Sequence, residues 1–247
     1  MLNPLSSLAV RKKNVTLWKT LGLLSFGYTN AQLEATLLQS ARCGATDIWK
    51  SAFISLGSRT SPEVWRDSLA NAALSGNVAL YQIIEEDMLT HSHCREEYLS
   101  LDRILAGAVE SGSMQMLDYI SQRHPKAIAR AMWRGLMHSA IRSESSDMMT
   151  HIRRLTPPEE LAKMEWYSLL YTALRANSLV AVDWICNELE FSNAIDWNMI
   201  AGHYMGGDMK IQERLNNASD RMHYRLKLYG PLTPAEQPLQ IEYLKAA

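Results

Sequence analysis

Two groups of side chains in this sequence could do chemistry. The stretch THSHCREE brings His91, His93 and Cys94 within four residues, and imidazole nitrogens and thiolates are ligands that hold a soft metal such as zinc. A structural zinc site needs four ligands in a recognisable arrangement, and only these three adjacent candidates occur. We therefore predict that residues 91–97 form an exposed, solvated loop without a metal. Metal binding by these three residues is the alternative.

Sequence motifs of catalysis and cofactor binding are absent. The chain has no phosphate-binding glycine loop, no Gly-x-Ser-x-Gly turn, no His-Glu-x-x-His and no Cys-x-x-Cys pair. We predict no catalytic residue and no cofactor. The alternative that the residues leave open is an effector enzyme with an unrecognised active site on a repeat scaffold, in the loop of residues 91–97 or against the C-terminal segment.

The second group is a series of arginines at a recurring position. In an eight-residue frame that begins at Leu69 and ends at Gly76, the sixth position holds, in successive copies, Arg11, Arg42, Leu74, Glu110, Arg142, Arg175 and Met205. Guanidinium groups in a row suit an acidic peptide, because each can form a bidentate pair with a carboxylate. We predict a partner-binding face that contains Arg42, Leu74, Glu110, Arg142, Arg175, His138 and Tyr171, with Leu74 exposed among the arginines. A solubilising charged surface is the alternative.

The recurring arginines belong to a sequence repeat of about 33 residues, and the helices of that repeat must position them. Seven copies of the frame end at Lys13, Gly44, Gly76, Gly112, Glu144, Asn177 and Gly207. The fourth position is small in six copies, as closely packed helices require, and holds His203 in the last. Residues four and eight after each frame are apolar in all seven copies, a spacing that places each pair on one helix face.

Each copy predicts a helix, a short break and a second helix. One first helix is predicted from Pro62 to about Leu74, and its second helix from about Val78 to Glu86. Ser61 and Thr156 are predicted N-caps followed by proline. Glycine, or Asn177, makes the break because both tolerate a left-handed backbone, whereas Lys13 and Glu144 are expected to fit that role less well. Trp65, Trp133, Trp166, Met116 and Met148 fall in the repeat columns and are predicted to pack in the core.

The segments NAALSGNVALYQII, GAVESGSMQMLDYI and TALRANSLVAVDWI resemble the helix-turn-helix part of ankyrin repeats. The resemblance covers roughly residues 5–215, although the Thr-Pro-Leu-His tetrapeptide of that family occurs in no copy, so longer first helices and irregular loops are expected in place of its hairpins. In ankyrin-repeat proteins the first helices and the loops before them form the concave recognition surface. The resemblance therefore implies that this face binds a protein partner.

These patterns predict an all-α protein. Residues 1–218 are expected to form an α-solenoid of about seven ankyrin-like helix-turn-helix repeats with atypical end caps, and residues 219–247 a C-terminal cap or tail. Stacked repeats share their apolar faces with their neighbours, so the end repeats carry polar substitutions such as Arg11-Lys12-Lys13.

Composition limits the class of partner and the compartment. A net charge of -1 gives no general attraction for nucleic acid or anionic membranes, so both are disfavoured as partners. Three widely spaced cysteines favour a reducing, cytoplasmic location over a disulfide framework. We predict a non-catalytic protein–protein interaction module whose partner carries an acidic segment. A microbial effector directed at a host protein fits the same prediction, which leaves delivery into a host cell open.

Overall fold

The structure is a computed structural model that describes residues 3–24, 27–57, 60–91, 100–129, 131–189, 196–197, 200 and 208–229. Over these residues the chain is all-helical and contains no strand, so the predicted all-α class is confirmed. The helices are α1 (Pro4–Arg11), α2 (Val15–Leu24), α3 (Asn30–Cys43), α4 (Thr46–Leu56), α5 (Pro62–Leu74), α6 (Val78–His91), α7 (Leu101–Glu110), α8 (Met114–Arg123), α9 (Pro125–Ala129), α10 (Trp133–Arg142), α11 (Ser146–Leu155), α12 (Pro158–Leu161), α13 (Trp166–Arg175), α14 (Leu179–Glu188) and α15 (Met209–Tyr229).

The chain divides into two compact units, Met1–Ser139 and Ala140–Ala247, and the division falls within α10. Among the described helices, none combines the length and the apolar character needed to cross a membrane.

The small residues at the fourth frame position are fully buried on the six described first helices. All six that the structure describes have no exposed surface: Ala9, Ser40, Ala72, Ala108, Ala140 and Ala173. His203 lies outside the described residues. The predicted close packing of this column is therefore confirmed.

The apolar pairs on the second helices are buried in six of the seven copies. Twelve of the fourteen side chains are at most 1% exposed: Ile48, Ala52, Leu80, Ile84, Met116, Ile120, Met148, Ile152, Ala181, Ile185, Ile211 and Leu215. The exceptions are Leu17, which is exposed, and Leu21, which is half-buried, both in the first copy.

The break between the two helices has one geometry in every described copy. The residue at the eighth frame position has φ between 52° and 69° in six copies, namely Lys13, Gly44, Gly76, Gly112, Glu144 and Asn177. The same residue donates its backbone N–H to the carbonyl three residues earlier, at 2.9–3.3 Å. Lys13 and Glu144 were expected to fit this conformation less well, yet both adopt it and make the same turn hydrogen bond as the glycines. Gly207 lies outside the described residues.

A side chain directly after this break caps the second helix. Asn77, Ser113, Ser145 and Ser178 each accept a hydrogen bond from the backbone N–H three residues further on, at 3.0–3.3 Å. Such a cap satisfies one of the orphan N–H groups of a helix start. The recurring Asn or Ser therefore favours the observed starts of these four second helices, whereas α4 begins after Ala45 without a side-chain cap.

In the first unit the first helices pack side by side in the order α1, α3, α5, α7. Gly107 sets the approach of α7 to α5, because a Cβ at this position would lie 2.9 Å from the Ala70 carbonyl oxygen and 3.2 Å from the Leu74 nitrogen. Backbone atoms cannot move aside as a side chain can, so this contact requires glycine. An ion pair between Arg103 and Asp67, at 2.6 Å, joins the same two helices.

In the second unit α11, α13 and α15 all pack against α14. Arg153 on α11 pairs with Glu188 on α14 at 2.5 Å, and Arg214 on α15 contacts Asp183 and Asn187 on α14. Helix α15 runs from Met209 to Tyr229, so it continues across the predicted domain boundary between residues 218 and 219.

Three local predictions are refined or corrected by the helices. Ser61 caps α5 and Pro62 follows it, as predicted. Thr156 does not cap a helix, because its hydroxyl donates to the Ile152 carbonyl of the preceding helix at 2.8 Å. The second helix that starts at Val78 extends to His91, five residues beyond the predicted end. Trp65, Met116 and Met148 are core residues as predicted, whereas Trp133 and Trp166 are only half-buried.

Candidate binding surface on the first helices

The predicted arginines lie at equivalent places on three first helices. Arg42, Arg142 and Arg175 each occupy the last turn of a helix, on α3, α10 and α13, and all three are exposed. Arg42 belongs to the first unit, and Arg142 and Arg175 belong to the second. The predicted exposure of these three arginines is therefore confirmed, while their role in partner binding stays a prediction.

The remaining predicted residues differ in exposure. Tyr171 is exposed, but Glu110 and His138 are half-buried. Leu74 is also half-buried, so its predicted exposure is wrong. The reason is the tight contact at Gly107, which brings α7 against the backbone of Leu74.

Among the side chains that the structure describes, the most exposed aromatic residues lie on α13. Tyr167 is 51% exposed and Tyr171 is 57% exposed, and Arg175 is exposed one turn further on. Residues four apart lie on one side of a helix, so the three side chains form a single stripe, which we call the α13 face. The sequence reasoning missed Tyr167, although its position four residues before Tyr171 was the signal that could have found it.

The opposite side of α13 holds the helix in place. Leu169, Leu170 and Ala173 have no exposed surface. The ring of Trp166 lies 6.3 Å from that of Trp184 on α14, and the Trp184 Nε1–H donates to the Thr150 hydroxyl at 3.0 Å. Anchored in this way, α13 presents the α13 face on a fixed support.

Arg175 differs from the paired arginines of the same unit. Arg153 and Arg214 are each held by a carboxylate, whereas the described contact of Arg175 is the ring of Tyr171, with the guanidinium carbon 6.0 Å from the ring centroid. This separation is at the outer limit of a cation–π interaction. The Arg175 guanidinium is therefore oriented by Tyr171 and still able to take a carboxylate.

A second concentration of polar groups lies in the first unit, around Glu85 on α6. Its carboxylate is buried and receives three neighbours: the Tyr119 hydroxyl donates at 3.2 Å, Arg123 Nε donates to both oxygens at 3.3 Å, and His124 Nε2 lies 3.4 Å from Oε1. Tyr81 packs edge-on against Tyr119, with 5.8 Å between ring centroids. We call these five residues the Glu85 cluster.

The protonation states in the Glu85 cluster follow from burial and charge. Burial by itself raises the pKa of Glu85, but His124, the charge of Arg123 and the Tyr119 hydroxyl together outweigh it, so the pKa lies below its ordinary value. Burial, and then the Glu85 charge, raise the pKa values of Tyr81 and Tyr119. Near neutral pH the cluster therefore holds an ionised carboxylate and two neutral phenols, and the carboxylate is fully used in tying α6 to α8.

The side chains of the predicted metal ligands fall outside the described part of the chain. His93 and Cys94 lie outside the described residues, and so does the side chain of His91, whose backbone ends α6. Within the part of the chain that the structure describes, no three His, Cys, Asp or Glu side chains come together as a metal site.

No family model matches the chain, and no curated protein is significantly similar to it.

Proposed function

We propose that this chain is a non-catalytic protein-binding module. In this proposal its helix pairs form an α-solenoid of ankyrin-like repeats, and the faces of the first helices bind a partner protein that carries an acidic segment. Arg42, Arg142 and Arg175 supply the positive charge, and Tyr171 supplies apolar contact area.

The α13 face is the observation that carries the proposal. Tyrosine and arginine are enriched in the centres of protein interfaces, because they combine large contact area with directed polar groups. Two tyrosines more than half exposed, one turn apart and beside an arginine with no carboxylate partner among its described contacts, are more than folding of α13 requires. A side chain that the fold does not use is available to a partner.

The alternative of an enzyme on a repeat scaffold draws no support from the Glu85 cluster. A general base or nucleophile needs a free site within hydrogen-bond reach of a substrate atom. The oxygens of Glu85 already face Tyr119, Arg123 and His124, and the residue is 5% exposed. We therefore assign the cluster to the support of the fold.

The cellular setting belongs to the same proposal. A protein-binding module of this kind would act in the cytoplasm, and a microbial effector directed at a host protein is one form of it. The near-neutral net charge makes nucleic acid the less suited partner.

The test is a charge reversal on the predicted arginines. The variant Arg142→Glu with Arg175→Glu should lose the proteins that the wild-type chain captures from native cytosol, as measured by quantitative mass spectrometry. The matched control is Lys210→Glu, which reverses an exposed charge on α15 in the same unit. Capture by the double variant equal to that by the wild type, with unchanged far-UV circular dichroism, would exclude this face as the binding site.

A further inference from the structure

The geometry of α13 sets the distances between the three side chains of the α13 face. An α-helix rises about 1.5 Å per residue, so Tyr167, Tyr171 and Arg175 follow each other at intervals of about 6 Å. The stripe is therefore about 12 Å long, with two phenol rings at one end and a guanidinium at the other.

An extended polypeptide matches these intervals. In a strand-like conformation its alternate residues lie on one side and advance by about 6.4 to 6.8 Å. Three alternate side chains of such a segment would therefore meet the two tyrosines and the arginine in register. A second helix laid across the stripe would reach fewer of the three positions, since helices in globular proteins commonly cross at an angle.

The chemistry of the stripe sets what those three side chains must be. The phenol rings of Tyr167 and Tyr171 are broad apolar surfaces with a donor at the rim, which suits apolar and prolyl groups and the free carbonyls of an extended backbone. The sole charge on α13 is that of Arg175, whose described contact is the Tyr171 ring. A carboxylate is the group that this guanidinium binds best.

We infer that the α13 face binds an extended, acidic, proline-containing segment of a partner protein, with an apolar residue on Tyr167, a proline on Tyr171 and a carboxylate on Arg175. The inference rests on the proposed function and names the chemistry of the partner. Proline at the middle position holds the residue before it extended and reduces the entropy lost on binding. The described residues offer no strand edge, so recognition depends on these side chains and not on backbone pairing.

The first experiment measures binding of defined synthetic peptides by fluorescence anisotropy to the full chain. One peptide carries leucine, proline and glutamate at alternate positions, and the second carries the same residues with the glutamate moved two positions further along. We expect the first peptide to bind at least about tenfold more tightly, and Arg175→Gln to remove about that factor, because one charge-assisted pair is lost. Equal affinities for the two peptides would overturn the inferred register.

A charge swap separates direct pairing from a general effect of the variant. Arg175→Glu should reject the glutamate peptide and bind a peptide with lysine in its place, while Lys210→Glu should behave as the wild type. The double variant Tyr167→Ser with Tyr171→Ser should lower the affinity for the glutamate peptide. It should still prefer the glutamate peptide to the lysine peptide. Failure of the lysine peptide to bind Arg175→Glu would overturn the contact with Arg175.

The remaining outcomes assign the face to another occupant. Salt-dependent binding of a single-stranded oligonucleotide, lost in the tyrosine variant, would overturn the inference in favour of base stacking. Peptide binding that appears only after residues 230–247 are removed would overturn it in favour of the chain's own C-terminal segment. Weak binding of every peptide, combined with protein capture that still depends on Arg142 and Arg175, would overturn the inference and leave the proposed function standing.

Discussion

The Glu85 cluster and the α13 face use the same residue types in opposite ways. In the cluster, Arg123 and the Tyr119 hydroxyl are held by a buried carboxylate. On α13, Arg175 lies over a phenol ring, and both tyrosines stay more than half exposed. The side chains of the Glu85 cluster therefore stabilise the fold through contacts with each other. Those of the α13 face remain exposed and available to a partner.

This difference has a physical origin in the neighbours of each helix. A buried carboxylate without partners is costly, so Glu85 can be retained on α6 only if α8 supplies donors to it. An exposed tyrosine carries no such requirement, because water satisfies its hydroxyl. The shifted pKa values of the Glu85 cluster therefore reflect a buried carboxylate that its neighbours compensate. The exposure of the α13 face indicates side chains that the fold does not bury.

The sharpest test of the comparison removes the carboxylate of the cluster. Glu85→Ala should lower the free energy of unfolding by about 2 kcal/mol, because the hydrogen bonds to a buried charge are lost and His124 is left unpaired. The exposed neighbour Glu86 supplies the control, since Glu86→Ala on the same helix should change the free energy of unfolding by less than about 0.5 kcal/mol. Urea denaturation followed by circular dichroism measures both. Equal losses in the two variants would show that the cluster does not support the fold.

The sequence predicted much of what positions these two regions. The small column and the apolar pairs follow from helical periodicity, so their burial, the α5 boundaries and the turn at Gly76 could be derived from spacing alone. The capping residues after four of the turns carried a usable signal that the repeat reasoning did not use, namely the recurring Asn or Ser at Asn77, Ser113, Ser145 and Ser178.

The contacts between helices could not be derived in this way. Nothing in the spacing of Glu85, Arg123 and His124 shows that α6 and α8 bring them together, because that depends on the rotation of each helix about its axis. The half-burial of Leu74 was missed for the same reason, since it follows from the glycine at position 107 of a neighbouring helix. Periodicity assigns residues to a face, and only packing decides which of them remain exposed.

The stability that the Glu85 cluster contributes should depend on pH, because Glu85 is ionisable. Because the pKa of Glu85 is lowered in the folded protein, its contribution is present above the ordinary value of 4.5 and is lost as pH falls through the folded value. The stability advantage of the wild type over Glu85→Gln should therefore shrink as the pH falls below the ordinary pKa of 4.5. The change is smaller than the loss in Glu85→Ala, because protonation keeps the side chain in place. Denaturation at each pH measures it, and an advantage that stays constant would show that the cluster does not lower the pKa of Glu85.

The same chemical change in both regions sharpens the comparison further. Tyr119→Phe removes the hydroxyl that donates to Glu85 and should cost about 1 kcal/mol, whereas Tyr171→Phe removes an exposed hydroxyl and should leave stability within about 0.3 kcal/mol of the wild type. Thermal and urea unfolding of the two variants side by side give the difference. If Tyr171→Phe proved the more destabilising, the α13 face would be part of the packing and not an open surface.

The smallest expected effect on stability is that of Arg175→Gln. A guanidinium 6.0 Å from the centroid of an exposed ring contributes less than about 0.5 kcal/mol, so the variant should unfold as the wild type does within that margin. Its effect on the binding of an acidic peptide should nevertheless be the largest of any single change on α13. Urea denaturation and peptide anisotropy on the same preparation measure the two quantities together. A side chain that serves a partner stabilises the complex and not the free protein. If Arg175→Gln lowered the free energy of unfolding by about 1 kcal/mol or more, Arg175 would instead stabilise the fold, as Arg123 does.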